Sequence, residues 1–494
     1  MAQNQENKQM TNLSSTIKTI QNIMRKDSGV DGDAQRIGQL SWMLFLKIFA
    51  DSEENWSFFE DDYKSPIPEE YRWTSWASDD EGITGDELLD FVNNRLFPTL
   101  KNLPTEGNPR AYMVRSIFED AINYMKSGQL LRQIINKINE IDFNSTEDRH
   151  VFGDIYEQIL KDLQSAGNAG EFYTPRAVTT FMAEMTNPRL GEKVLDPACG
   201  TGGFLACAVN HLHQQVKTPD DEQKLQKGII GWEKKQLPYI LCTTNMILHG
   251  LDVPNIQHLL AGSLAKPLNS YEKKDKVDVI LTNPPFGGME EDGIENNFPA
   301  DVRTKETADL FLVLMMKLLK DGGRCAVVLP DGSLFGEGVK TRIKEKLLTE
   351  CNLHTIIRLP KSVFAPYASI NTNLLFFTKG SPTQETWFYR LDMPEGVKAF
   401  NKTNPMKIEN FAEVKEWWNN RQEIEVDGFP KSKKYSLKEL QDRNYNLDLC
   451  GYPTIEEEIL EPEQLISQYQ AKRAELNANI DNILADINKL LGIA

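Results

Sequence analysis

Six cysteines stand in 494 residues, at positions 199, 207, 242, 325, 351 and 450, and no two of them form a CxxC pair. That scatter argues for a reducing cytoplasm and against a zinc site. The six histidines lack ligand spacing as well: His211 and His213 are two apart, which is wrong for one helix face. No metal is expected. Long hydrophobic runs are also missing. Residues 310–316, followed by Lys317, are too few to cross a bilayer, and MAQNQENKQM at the N-terminus has no signal-peptide core. A cytoplasmic protein without membrane contact is expected. Positive charge is in deficit too, with 55 Lys and Arg against 72 Asp and Glu, a net charge of −17. A chain that grips nucleic acid unaided usually carries a basic stripe. Here only small clusters occur, such as Lys431, Lys433 and Lys434. If nucleic acid is the substrate, something else supplies much of the grip.

The length asks for two or three domains, and 40% hydrophobic content fits a globular chain. Residues 1–152 read as a helical N-terminal domain, with helical spacing at Leu13, Ile17, Ile20, Ile23 and Met24 and again in GQLSWMLFLKIFAD. Through 153–400 the texture changes. Short apolar runs at 193–196, 228–233, 277–282, 325–329, 355–359 and 373–378 alternate with helical stretches, which predicts an α/β domain with a mostly parallel sheet and helices on both faces. Ligands of such sheets bind at the carboxyl ends of the strands. The region 401–494 ends in a helix after Pro462. Its Leu476, Ile480, Ile483, Ile487 and Leu490 are spaced 4, 3, 4, 3, a coiled-coil seam too short to stand alone. It packs either on the chain's own N-terminal domain or on a partner subunit.

KVLDPACGTGGFL follows the first predicted strand and opens a helix. Gly200, Gly202 and Gly203 let the backbone turn sharply and approach a ligand closely. Asp196, just before the turn, repels phosphate and suits a cationic amine. Glu233 ends the second strand, where nucleoside-binding α/β folds place a carboxylate for ribose hydroxyls. Separately, the turn is a plain strand–helix connection and the acid a solvated side chain. Together they fit an adenosine-bearing ligand without pyrophosphate, S-adenosylmethionine.

DVILTNPPFGG ends another strand with an amide, two prolines and an aromatic ring. Asn-Pro is a common turn starter. It also solves a chemical difficulty. The exocyclic amine of a base is a poor nucleophile because its lone pair is delocalised into the ring. Acceptors aimed at its N–H groups favour the localised form and stabilise charge that develops during methyl transfer. The Asn283 side-chain oxygen is one acceptor, and the Pro284 carbonyl, held by rigid prolines, is a second. Phe286 offers a stacking face to a base that has left the duplex. Unstacking costs a few kcal/mol, of which an aromatic platform recovers ~1–3.

DPACGTGGF followed by NPPF resembles the gamma group of amino-methyltransferases acting on adenine N6 in DNA. GEFYTPR, just upstream, resembles the modification subunit of type I restriction–modification systems, and ADLFLVLMMKLL and VVLPDGSLFG extend the likeness over nearly the whole chain. The resemblance implies a Rossmann-like methyltransferase domain with a seven-stranded sheet, between a helical N-terminal domain and a helical tail. It implies S-adenosylmethionine held by Glu171, Phe172, Tyr173, Thr174, Pro175 and Arg176, by Asp196, Gly200, Thr201, Gly202 and Gly203, and by Glu233. It implies a flipped adenine of double-stranded DNA held by Asn283, Pro284, Pro285 and Phe286. A separate specificity subunit then reads the target, with two modification subunits to each, in keeping with the acidic charge. Whether a restriction subunit joins is left open. One departure concerns LLAGSLAKPL. The family often has an acid or Asn where Gly262 stands, contacting the cofactor adenine, with Ser263 and Leu264 following. Alternative functions are a standalone adenine methyltransferase, a methyltransferase of protein glutamines, and a non-catalytic assembly scaffold.

Overall fold

The computed structural model describes residues 15–143, 156, 174–364, 370–401, 404–452 and 462–491. Two compact units divide the chain, 1–451 and 452–494.

The first unit begins with helices. The longest, Asp33–Phe59, carries the GQLSWMLFLKIFAD stretch and buries Trp42, Phe45 and Phe49. Among the described residues, no strand precedes β1. The helices are joined to the α/β part by polar bonds at the rim of a shared apolar core. Trp56 Nε1 donates to Asp252 Oδ1 at 2.7 Å, and Gln236 Nε2 donates to the carbonyls of Ser116 and Ile117 at 3.0 and 2.9 Å. The boundary expected at 152 falls outside the described residues.

Ten strands form one sheet: β1 (Val194–Asp196), β2 (Ile229–Glu233), β3 (Asn255–His258), β4 (Val277–Thr282), β5 (Leu319–Pro330), β6 (Cys351–Arg358), β7 (Thr372–Lys379), β8 (Glu385–Arg390), β9 (Ile424–Val426) and β10 (Phe429–Ser436). Their order is β3-β2-β1-β4-β5-β7-β6-β8-β10-β9. The first seven positions supply the expected seven-stranded sheet, parallel from β3 to β5, with β7 antiparallel to both neighbours. Three further strands extend it beyond β6, so residues after 400 also enter the sheet. The sequence reading missed β3, β8, β9 and β10. Strand β3 is four residues with two exposed, and β10 carries lysines, so neither shows the apolar run of a central strand. The Lys431 and Lys434 ammonium groups on β10 are paired, Lys431 with Glu413 at 2.7 Å and Lys434 with Glu385 at 2.9 Å.

Strand β1 is short because its flanks are spoken for. All three residues are buried, and it lies between β2 and β4 at the centre of the parallel half. The helix Arg176–Thr186 covers this region and buries Phe181, whose ring stacks on Phe411 with centroids 4.2 Å apart and planes 9° from parallel. That pair ties the covering helix to the segment leading to β9.

The second unit is the helix Pro462–Leu491. Leu476, Ile480 and Ile483 of the seam are each more than half exposed. The side chains of Ile487 and Leu490 lie outside the described residues.

Phe181→Ala should lower the stability of the full chain by about 3–5 kcal/mol, the usual cost of emptying a large aromatic site. The urea unfolding midpoint reads this. A midpoint within error of wild type would show that the Phe181–Phe411 stack carries little of the fold.

Candidate active site

Strand β1 ends at Asp196, which is 1% exposed. Its Oδ1 accepts the Thr282 hydroxyl at 2.6 Å and the Ala198 N–H at 3.1 Å. Thr282 is the last residue of β4. One carboxylate oxygen therefore joins the ends of two adjacent parallel strands. Burial pushes the Asp196 carboxyl up to about 7, the two hydrogen bonds pull it back in part, and the nearby Glu233 charge adds to the rise.

The glycine loop turns next. Gly200 and Gly202 have φ of 52° and 85°, the left-handed region in which only glycine is unstrained. At Gly202 space is also closed, since a Cβ there would lie 2.8 Å from Cys242 Sγ. Gly202 caps the helix Gly203–His213. Glu233, at the end of β2, braces the loop. Its Oε2 accepts the Gly200 N–H at 2.9 Å and its Oε1 the Lys235 N–H at 2.8 Å. Asn245 Nδ2 donates to the Thr201 carbonyl at 3.0 Å.

The NPPF turn follows β4. Asn283 Nδ2 donates to Thr174 Oγ1 at 2.8 Å, while Asn283 Oδ1 is buried with no hydrogen-bond partner among the described residues. An orphaned buried acceptor is costly, about 1–3 kcal/mol, and calls for an explanation. Phe286 is 6% exposed and meets Phe364 edge to face, centroids 6.2 Å apart at 81°. In this arrangement its ring offers a base little surface, whereas Pro285 is exposed.

A cavity of about 280 Å³ opens at the carboxyl ends of these strands. Gly200, Glu233, Asn283 and Pro285 line it, together with Leu264 and Phe311. The remaining expected residues take supporting places. Pro175 precedes the helix Arg176–Thr186 as its N-cap. Arg176 Nη1 donates to the Gly203 carbonyl at 2.6 Å and reaches Cys207 Sγ at 3.2 Å, so its guanidinium binds the cradle's helix. Glu171, Phe172 and Tyr173 lie outside the described residues. Ser263 lines the cavity, but its Oγ donates to the Pro197 carbonyl at 2.5 Å. No cluster of metal-ligating side chains occurs among the described residues, and none of their helices is long and apolar enough to cross a membrane.

The N-6 DNA Methylase family model matches residues 147–459, and the HsdM N-terminal domain model matches residues 13–138. The type I restriction enzyme EcoEI methylase subunit of Escherichia coli is 59% identical over 485 residues, covering 96% of this chain and 97% of that one. The chain belongs to the methylase subunits of type I restriction enzymes. The EcoKI methylase subunit of Escherichia coli strain K12 is 30% identical, over 78% of this chain and 72% of that one. Among solved structures, a modification subunit assigned to a type I restriction enzyme of Vibrio vulnificus YJ016 superposes with a TM-score of 0.80 at 44% identity, over 90% of this chain and 96% of that one. A structure from work on assembly and conformational transition of a type I R-M system gives 0.78 at 35%, over 98% and 99%.

As a type I methylase subunit, the chain carries out N-6 adenine methylation of DNA, and the NPPF turn and glycine loop converge on one cavity. Sequence reasoning missed two groups there, Glu290 and Thr307, which form part of the cavity wall. Thr174, expected at the cofactor, holds the Asn283 amide. Thr307 and Phe311 stand in the TADLF stretch, whose likeness to the family was visible, but nothing in its spacing shows which side chains face the cavity.

Two outcomes test this geometry. Folded, Asp196 holds its proton up to about pH 7, while unfolded it releases it near 3.8. Between those values the folded state binds more protons, so this group's contribution to stability falls as pH rises, then levels off above both values. Asparagine keeps the oxygen that accepts both hydrogen bonds. Asp196→Asn should therefore gain stability relative to wild type on going from pH 5 to pH 8, read as urea midpoints. A pH-independent difference would mean that Asp196 is ionised throughout. Gly202→Ala should destabilise the loop by about 1–3 kcal/mol from backbone strain alone, visible as loss of amide protection at 199–203 in hydrogen exchange; unchanged protection would refute the strain.

Proposed function

We infer that this subunit takes its methyl group from S-adenosylmethionine, held in the cavity beside the glycine loop, and delivers it to N6 of an adenine swung out of double-stranded DNA. The single observation behind this reading is the Asn283 amide. Thr174 fixes its nitrogen, and its oxygen is left as a buried acceptor with no partner among the described residues. An exocyclic amine fits that vacancy.

The residues present suit such a cofactor. The glycine turn keeps Cβ atoms away from the ligand, and Glu233 provides negative charge at the cavity. Glu233 lines the cavity, where its carboxylate can accept from ribose hydroxyls. When bound, S-adenosylmethionine supplies a methyl group on a positively charged sulfur. The chain's own part is positional. Asn283 Oδ1 accepts one N6–H of the flipped adenine and the Pro284 carbonyl accepts the other. The nitrogen lone pair is thereby held out of the ring and directed at the methyl carbon. These same two acceptors would stabilise the positive charge that builds on nitrogen as the methyl group leaves sulfur, until one N6 proton passes to solvent. Pro285 borders the place where the base enters, while Phe286 packs against Phe364.

Sequence choice belongs to a separate specificity subunit. The net charge of −17 and the paired lysines of β10 support this, since neither provides a grip on a polyanion. The exposed Leu476, Ile480 and Ile483 on the C-terminal helix support docking to a partner subunit, within a complex holding two copies of this chain. A restriction subunit joins the same assembly when cleavage accompanies modification.

Methyl incorporation into adenine, measured with and without the specificity subunit, tests the reading. Incorporation should require that subunit, and Asn283→Ala should reduce it by at least about 100-fold, the usual cost of one such donor or acceptor. Cofactor affinity should stay within about threefold, since Asn283 acts on the base. Equal incorporation by the isolated chain would remove the need for a separate reader, and lost cofactor binding would reassign Asn283.

A further inference from the structure

One carboxylate in the cavity wall has no task in the mechanism above. Besides Glu233, Lys234 and Lys235 the lining includes apolar residues, with Leu264, Pro285 and Phe311, and in the same wall stands Glu290. Its position is fixed from two sides. Glu290 N–H donates to the Lys305 carbonyl at 2.8 Å, Thr307 N–H donates to the Gly288 carbonyl at 3.1 Å, and Met289 bridges Glu306 in an antiparallel pair. The Thr307 hydroxyl, in a side chain 4% exposed, donates to Glu290 Oε1 at 2.8 Å. Glu290 Oε2 has no partner among the described residues. A short ladder and a buried hydroxyl thus hold a carboxylate with one oxygen unused, beside walls suited to a flat ring.

Other side-chain acceptors at this end are missing or engaged. Gly262 has no side chain, and the Lys234 methylenes stand 3.3 Å from where its Cβ would be. Ser263 Oγ is committed to the Pro197 carbonyl. Asn283 Oδ1 belongs to the reacting base in the reading above.

We propose that Glu290 Oε2 accepts a hydrogen bond from the exocyclic amine of the cofactor's adenine ring, with Thr307 as the positioning residue that aims it. The inference rests on the cavity being the S-adenosylmethionine site. Its consequence is selectivity. Adenine presents an N–H donor at this position, whereas a 6-oxopurine presents a lone pair that a carboxylate repels. The acceptor absent at Gly262, after β3, is supplied from the loop that follows the NPPF turn.

Binding of S-adenosylhomocysteine and S-inosylhomocysteine to the full chain, compared by titration calorimetry, is the test. Wild type should prefer the adenosyl form by about 10- to 100-fold, the range for one hydrogen bond to a charged group. Glu290→Gln keeps the shape and adds a donor, so the preference should fall to within about threefold or invert. Thr307→Val should reduce it in part, and Thr307→Ser, which restores the hydroxyl, should recover it. Asn283→Ala should leave it intact. If wild type binds neither ligand, the reading of the cavity falls, and this inference with it. If wild type binds the adenosyl form and Glu290→Gln retains the full preference, the role of Glu290 alone is overturned.

Discussion

The hydrogen bond from Thr282 to Asp196 fixes the distance on which the rest of the site depends. Strands β1 and β4 are neighbours in the sheet, and each ends in one half of the chemistry. The glycine loop begins at the end of β1 and the NPPF turn at the end of β4. A bond between the last residues of both strands sets the loop and the turn in one register. Because Asp196 Oδ1 also accepts the Ala198 N–H, it sets the direction in which the loop departs. Glu233 repeats the arrangement from β2, holding the loop at Gly200. Three parallel strands thus end in side chains that bind one another or the backbone of the glycine loop. Such parallel ends leave their last polar groups unpaired by sheet partners, and here those groups organise the cavity.

This division explains how much could be read from the sequence. Asp196, Gly200, Gly202, Glu233 and Asn283 are legible because each sits where an apolar run stops, and a residue type out of keeping with its run stands out. The left-handed turns at Gly200 and Gly202 follow from the same text, since only glycine takes them without strain. Arg176 shows the limit. Its place in a motif does not reveal that its guanidinium points at the Gly203 carbonyl, because that depends on how two helices pack. Glu290 and Thr307 were invisible for a related reason: their contact spans 17 residues and leaves no local pattern. Thr174 was legible as a site residue, but not its bond to Asn283, 109 residues away. The three strands beyond β6 escaped as well, because exposed and lysine-bearing edge elements lack the continuous apolar runs by which parallel strands are found.

Phe286 and Pro285 qualify the picture of an aromatic platform. The proline pair makes the turn rigid and removes two backbone donors from it. Phe286 adds packing from behind, edge-on to Phe364. A turn supported in this way holds its acceptors still before the base arrives. That matters because an acceptor that must reorganise during transfer contributes less than one already in place.

Charge draws the last distinction. Glu233 and Glu290 line the cavity and favour a positively charged ligand there, with Lys234 and Lys235 in the same wall. The loop after the NPPF turn continues with Glu291 and Asp292, which a phosphate backbone would avoid. Both effects have short reach, since screening in physiological salt falls off over about 8 Å. Negative charge close to the cavity therefore acts on whatever sits within it, while the approach of DNA is governed by basic surface farther away. A chain with 72 acids and 55 bases does not present that surface on its own account. Acids gather at the cavity, while neither the net charge of −17 nor the paired lysines of β10 offer a grip on a polyanion. A small ligand pocket and a DNA-binding surface thus make demands that this one surface does not meet together.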